Sequence, residues 1–130
     1  MIIANLQTDL KSLFIKALEA DPDVRLVAMA DAFGDRAEEC VKTLIEKFPD
    51  SDRINVNRET LFTGFDAYKQ AIGMADVVIL TTPPAFRPLH FEYAISQGKH
   101  VFMEKPVATD VAGIRTVLAA GKEAHRKKLN

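Results

Sequence analysis

Residues 75–110 read ADVVILTTPPAFRPLHFEYAISQGKHVFMEKPVATD, and this stretch decides the fold. Val77, Val78, Ile79 and Leu80 form a short continuous apolar run, the pattern of a strand buried on both faces. Thr81, Thr82, Pro83 and Pro84 stop it, because proline has no N–H to give to a ladder. A helix is predicted over 87–97, with Gly98 supplying the C-terminal turn. His100 to Met103 is then a second short strand, broken by Pro106. Two strands joined through a helix lie parallel, so the stretch is a βαβ unit.

The same alternation extends outward. Upstream, Leu10, Leu13, Phe14, Ala17 and Leu18 fall at i, i+3, i+4, i+7 and i+8, one face of an amphipathic helix. Thr8 or Asp9 can cap its start, and Asp21-Pro22 closes it. Residues 25–30 (RLVAMA) read as a buried strand. Ala37, Cys40, Val41, Leu44, Ile45 and Phe48 repeat the helical spacing, ended by Pro49. The polar stretch 50–64 is predicted to hold a strand near 54–56 followed by a loop, and 65–72 a helix closed by Gly73. Downstream, Thr109 or Asp110 caps a last helix whose apolar residues are Val111, Ile114, Val117 and Leu118. With residues 2–6 as a first strand, the order is β-α repeated five times. That is an α/β fold: a Rossmann-like, doubly wound, mainly parallel sheet with helices on both faces.

Composition limits what such a domain does. A domain holds roughly 100–200 residues, so this chain of 130 residues makes one. Seventeen Lys and Arg against eighteen Asp and Glu give a net charge of −1, without the basic footprint of a nucleic-acid binder. The apolar runs fall well short of the ~18 residues that span a bilayer. The N-terminus lacks the basic and apolar regions of a signal peptide. A lone cysteine, Cys40, makes no internal disulfide and fits a reducing cytoplasm. The histidines His90, His100 and His125 show no metal-ligand spacing, so no metal is expected.

Taken together, ADVVILTTPP (75–84), the helix with His90 in its first turn, and GKHVFMEKPVATD (98–110) resemble the Gfo/Idh/MocA family. This is the glucose-fructose oxidoreductase and inositol dehydrogenase group. VRLVAMADAFGDR (24–36) is similar to the family's second strand and the turn after it. The resemblance covers about residues 12–128 and the N-terminal cofactor domain alone. It implies NAD or NADP as cofactor and sugars, cyclitols or related polyols as substrates. Asp31 would then face the adenosine ribose hydroxyls, which favours NAD by repelling a 2′-phosphate. Thr81, Thr82, Pro83 and Pro84 would form the loop beside the cofactor, and His90 would border it. Glu104 and Lys105 match the family's Glu-Lys-Pro motif, whose lysine lies near nicotinamide and substrate and can stabilise a developing alkoxide.

Two departures shape the expected function. The dinucleotide fingerprint Gly-x-Gly-x-x-Gly falls near Asn5, Gln7 and Leu10, and no glycine precedes Gly34. Side chains at Gln7 and Leu10 obstruct a pyrophosphate, and Asp9 repels it. Cofactor binding is therefore expected to be weak or absent. The family's C-terminal α/β domain, with its acid/base residues, and the sixth strand are also expected to be missing. Turnover by these 130 residues alone is then not expected, and His100 to Met103 becomes an unpaired edge. Self-association through that edge or by segment exchange would make a homo-oligomer. The alternative function is a non-catalytic self-associating or interaction protein on this scaffold.

Each candidate also has a plainer reading. Asp31 can cap a helix, Glu104 and Lys105 can form a surface ion pair, and His90 can make a local hydrogen bond. His100 reads as structural, and Cys40 as a core thiol. Phe86 and Phe91 read as packing residues, and Arg126 to Lys128 as a solvated helix end.

Overall fold

The computed structural model of the chain describes residues 11–49 and 51–130. Helices and strands alternate in the order α1 (Lys11–Ala20), β1 (Met29–Asp31), α2 (Gly34–Lys47), β2 (Leu61–Thr63), α3 (Ala67–Met74), β3 (Val77–Leu80), α4 (Arg87–Ser96), β4 (His100–Met103) and α5 (Val111–Arg126). The predicted strand over 2–6, the caps Thr8 and Asp9, and the turn positions Asn5, Gln7 and Leu10 lie outside the described residues.

Both described ladders are parallel. Met29, Ala30 and Asp31 pair with Leu61, Phe62 and Thr63. Val77 to Leu80 pair with His100 to Met103 in matching register. The expected strand over 25–30 is shifted and interrupted. Leu26 makes one bridge to Ile54, and regular pairing resumes only at Met29. The reason lies in the partner segment. Asn57 and Thr60 close a turn there, the Thr60 amide donating to the Asn57 carbonyl (3.1 Å) and the Asn57 amide to Thr60 Oγ1 (2.9 Å). The strand expected near 54–56 is thus a single bridge, and Leu61–Thr63, expected as loop, is the strand.

Period-2 alternation sends successive strand residues to opposite faces. Ala28, Ala30, Val78 and Leu80 pack with Tyr68, Ala71 and Ile72 of α3 and Ala94 of α4. Met29 and Ile79 face the other way, against Phe14 of α1 and Cys40 and Leu44 of α2. Helices therefore cover both faces, as a doubly wound sheet requires. α1 ends where expected, and Arg53 secures it from a distance: its Nη1 donates to the carbonyls of Leu18 (2.6 Å) and Asp21 (3.3 Å). Those are C-terminal acceptors that the helix itself leaves open.

Three further expectations are corrected. Gly73 does not close α3, which runs through it to Met74. In α5 the buried residues are Ala120 and Ala124, packed on Ile95 of α4, while Val111 and Leu118 are 67% and 61% exposed. Small residues win because they admit close helix approach; a Cβ on Gly113 would sit 3.0 Å from Pro88 Cγ. The Asp110 cap is as expected, its Oδ1 accepting from the Gly113 amide at 2.6 Å. Finally, the outer edge of β4 is not bare, since the Val101 amide donates to the Asn130 carbonyl (2.7 Å). His100 has a structural place beside it, its Nδ1 accepting from the Asn130 amide (3.1 Å).

Candidate functional site

Strands of a parallel sheet deliver their following loops to one end, where open α/β folds bind ligands. Here the segments that follow β1, β2 and β3 line one cavity of about 270 Å³. From β1 come Asp31, Ala32 and Phe33; after β2 come Gly64, Phe65 and then Tyr68 of α3; after β3 come Thr82, Pro83, Phe86 and His90. Gly64 has φ +104°, a left-handed conformation that L side chains rarely adopt, and its amide donates to the Asp31 carbonyl (3.0 Å). That glycine turns the chain from β2 into α3 under the cavity.

The walls are chiefly aromatic. Tyr68 and His90 rings lie 4.2 Å apart between centroids, Phe86 lies nearly parallel to His90 at 6.2 Å, and Phe65 is 6.1 Å from Phe86. His90 is 6% exposed, and its Nδ1 shares a hydrogen bond with Thr82 Oγ1 (3.2 Å). Burial pushes its pKa down to about 4, so the imidazole is neutral near pH 7 and presents a ring face rather than a charge. Burial also raises the pKa of the Tyr68 phenol above its ordinary value. Lined chiefly by aromatic faces, the cavity suits a flat heterocycle.

Asp31 ends β1 at the rim, buried, with Oδ1 accepting from the Phe33 amide (2.9 Å). Its carboxylate therefore turns the chain toward α2, whose N-cap residue is Phe33. The helix-cap reading of Asp31 is corrected: the N-cap of α2 is Phe33, without a side-chain cap bond, and Asp31 holds the turn before it. Of the other sequence candidates, Thr82, Pro83 and His90 line the cavity with it, while Thr81 is buried beside them and Pro84 sits just beyond. Glu104 and Lys105 do not line it. They follow β4, with Glu104 Oε1 accepting from the Lys105 amide (3.0 Å), the Lys105 side chain exposed and the Lys105–Pro106 peptide cis.

Sequence reasoning missed the aromatic walls Phe33, Phe65 and Tyr68, placed Phe86 beside the cofactor loop but favoured packing for it, and missed Arg87. Arg87 is 4% exposed and donates from Nε to the Thr82 carbonyl (2.6 Å) and from Nη1 to the carbonyls of Glu104 and Pro106 (2.5 Å each). A signal was present. A cation in the first turn of a helix opposes the helix dipole, so Arg87 at the head of α4 calls for another reason. Among the described residues, no group of three or more His, Cys, Asp or Glu side chains is placed to hold a metal ion. No helix there is long and apolar enough to cross a membrane.

The fold is shared with solved oxidoreductases. The apo scyllo-inositol dehydrogenase of Lactobacillus casei superposes with a TM-score of 0.72 at 19% identity, over 98% of this chain and 33% of that one. The 3-ketoreductase KijD10 of Actinomadura kijaniata, solved with NADP and TDP-benzene, gives 0.65 at 23% identity over 98% and 34%. The WlbA dehydrogenase of Bordetella pertussis, solved with NADH and UDP-GlcNAcA, gives 0.63 at 20% over 95% and 32%. This chain thus spans about a third of the length of each. No curated protein matches the sequence. The model of the oxidoreductase family with an NAD-binding Rossmann fold matches residues 9–129. The chain belongs to that family, the Gfo/Idh/MocA oxidoreductases, through its NAD-binding Rossmann domain.

Proposed function

We propose that this chain is the NAD(P)-binding domain of an oxidoreductase acting on sugars or polyols, and that its own affinity for the dinucleotide is weak. The observation that carries the reading is the cavity shared by the segments after β1, β2 and β3, aromatic in its walls and acidic at its rim. Its volume of about 270 Å³ fits the adenosine end of the cofactor rather than the whole. The adenine would lie against Phe86, Tyr68 and the neutral His90, and Asp31 would accept hydrogen bonds from the ribose hydroxyls, a preference for NAD. When bound, the nicotinamide supplies hydride chemistry. Lys105, with Glu104, would then sit on the substrate side and donate to an oxygen gaining charge.

Weakness follows from the sequence of residues 5–10, set against the fingerprint of the family. Asn5, Gln7 and Leu10 stand where the fingerprint has glycines, and Asp9 adds a negative charge. The adenosine end is kept and the pyrophosphate end is impaired. Calorimetric titration with NADH, NADPH and AMP tests this. Comparable, weak affinities for NADH and AMP are expected, because the pyrophosphate adds little. Micromolar NADH binding overturns the impaired turn; no binding of any of the three overturns the adenosine site. The 130 residues assayed alone are expected to show no turnover.

A second reading, self-association, is favoured by exposed apolar side chains on β3 and β4, Val77 at 43% and Phe102 at 51%. Sedimentation equilibrium decides it: a homo-oligomer is expected, and a monomer at high concentration refutes it.

A further inference from the structure

We infer that Arg87 is a positioning residue that locks the cavity loop after β3 to the loop carrying Glu104 and Lys105, so that the two move as one body. Three observations carry this. The guanidinium is almost wholly buried, yet all three of its hydrogen bonds go to backbone carbonyls, those of Thr82, Glu104 and Pro106. Its fork divides them by origin: Nε holds the loop after β3, and Nη1 holds both sides of Lys105 in the loop after β4. Its position in the first turn of α4 is electrostatically poor for a cation, so helix stability does not account for it. Carbonyl acceptors at short range do, because charge-assisted bonds are the stronger ones. The planar fork matters as much as the charge, since an ammonium has no two rigid donors aimed at separate loops.

The consequence concerns distance. Thr82 lines the cavity and Lys105 does not, so a ligand seated in the cavity need not touch Lys105 to steady it. Arg87 transmits the ordering through backbone rather than through the ligand. The lock itself rests on the hydrogen bonds above; its response to a nucleotide rests on the proposed reading of the cavity.

Amide hydrogen exchange measured by NMR on the whole chain separates these claims. The reporters are the amides of Phe86, which donates to the Pro83 carbonyl, and of Glu104, which donates to the Leu80 carbonyl, together with that of Lys105. The amide of Phe48, at the far end of α2, serves as control. In Arg87→Met without ligand, exchange at all three reporters is expected to rise about tenfold or more, with Phe48 unchanged. Should Arg87→Met fail to fold, Arg87→Lys is measured instead, with the same pattern and a smaller rise. Unchanged exchange at Glu104 and Lys105 in a folded variant overturns the lock. NADH is then added to the wild type and to the folded variant, with chemical-shift changes at Thr82 and Phe86 reporting binding. Slowing at Lys105 in the wild type that disappears in the variant is expected, and a merely structural arginine would not produce it. Equal slowing in both overturns transmission through Arg87. If NADH fails to bind the wild type, the cavity reading fails, and the ligand-free comparison still decides the lock.

Discussion

Acidification from pH 7 to pH 4 acts on the buried imidazole of His90. Folding takes its imidazole from water into the stack between Tyr68 and Phe86, and burial lowers its pKa from 6.5 to about 4. A group with a depressed native pKa binds fewer protons folded than unfolded between those values, so stability rises with pH across that window. The contribution is therefore complete at pH 7 and is lost as pH falls through 6.5 toward 4. The gap corresponds to about 3 kcal/mol, roughly half of it gone by pH 5.5. His90→Gln keeps a hydrogen-bonding partner for Thr82 Oγ1 and removes the titration. Urea unfolding of both proteins, followed by circular dichroism at steps between pH 4 and 7, gives their free-energy difference. Carboxylates titrate in both and cancel. The wild type is expected to lose about 3 kcal/mol more than the variant over this range. Parallel stability curves, or an NMR titration of His90 with its midpoint near 6.5, would refute the buried neutral ring.

Other perturbations test separate parts of the molecule. Phe86→Ala should weaken AMP binding by about 1–3 kcal/mol, the usual worth of a base stacked on an aromatic ring, read by calorimetry. Asp31→Asn should narrow the preference for NADH over NADPH in the same titrations, because the charge facing a 2′-phosphate is gone. Asp110→Ala removes the α5 cap and should cost about 1 kcal/mol in urea unfolding. Two glycines of α5 should respond with opposite sign. Gly121→Ala, where a Cβ meets nothing within 4 Å, should stabilise by about 0.5–1 kcal/mol. Gly113→Ala presses on Pro88 and Ala108 at 3.0 Å and should destabilise by about 1 kcal/mol net.

What the sequence made legible followed from periodicity and punctuation. The strand at Val77–Leu80, the proline stop after it and the strand at His100–Met103 emerged because each is continuous, apolar and sharply ended. Strand β2 was hidden, since Leu61, Phe62 and Thr63 have too few residues to show alternation and follow a polar turn. In α5, the large apolar residues misled: Val111, Ile114 and Leu118 have the right spacing, but alanines face α4. Around the cavity, Asp31, Thr82, Pro83 and His90 were named through the family resemblance of their motifs, and the fold brings them together. The aromatic walls were not, because Phe33 follows β1 while Phe65 and Tyr68 follow β2, and they meet Phe86 and His90 only in space. Arg87 was missed for a different reason: its partners are backbone carbonyls, which carry no residue signature.

The interruption between the Leu26–Ile54 bridge and the Met29–Leu61 pairing has a consequence for how the molecule tolerates change. Three steps along one strand match seven along the other, so four residues are looped out. They project as a turn held by its own bonds, Asn57 to Thr60 and the Glu59 amide to Asn57 Oδ1 (2.8 Å). Pairing on either side is fixed independently, by Leu26 before the turn and by Met29 after it. The turn is therefore a cassette: insertions or grafted sequences between 56 and 60 leave β2 in register and the Gly64–Phe65 wall in place. A reporter peptide or an affinity tag placed there would ride on the domain without passing through its core.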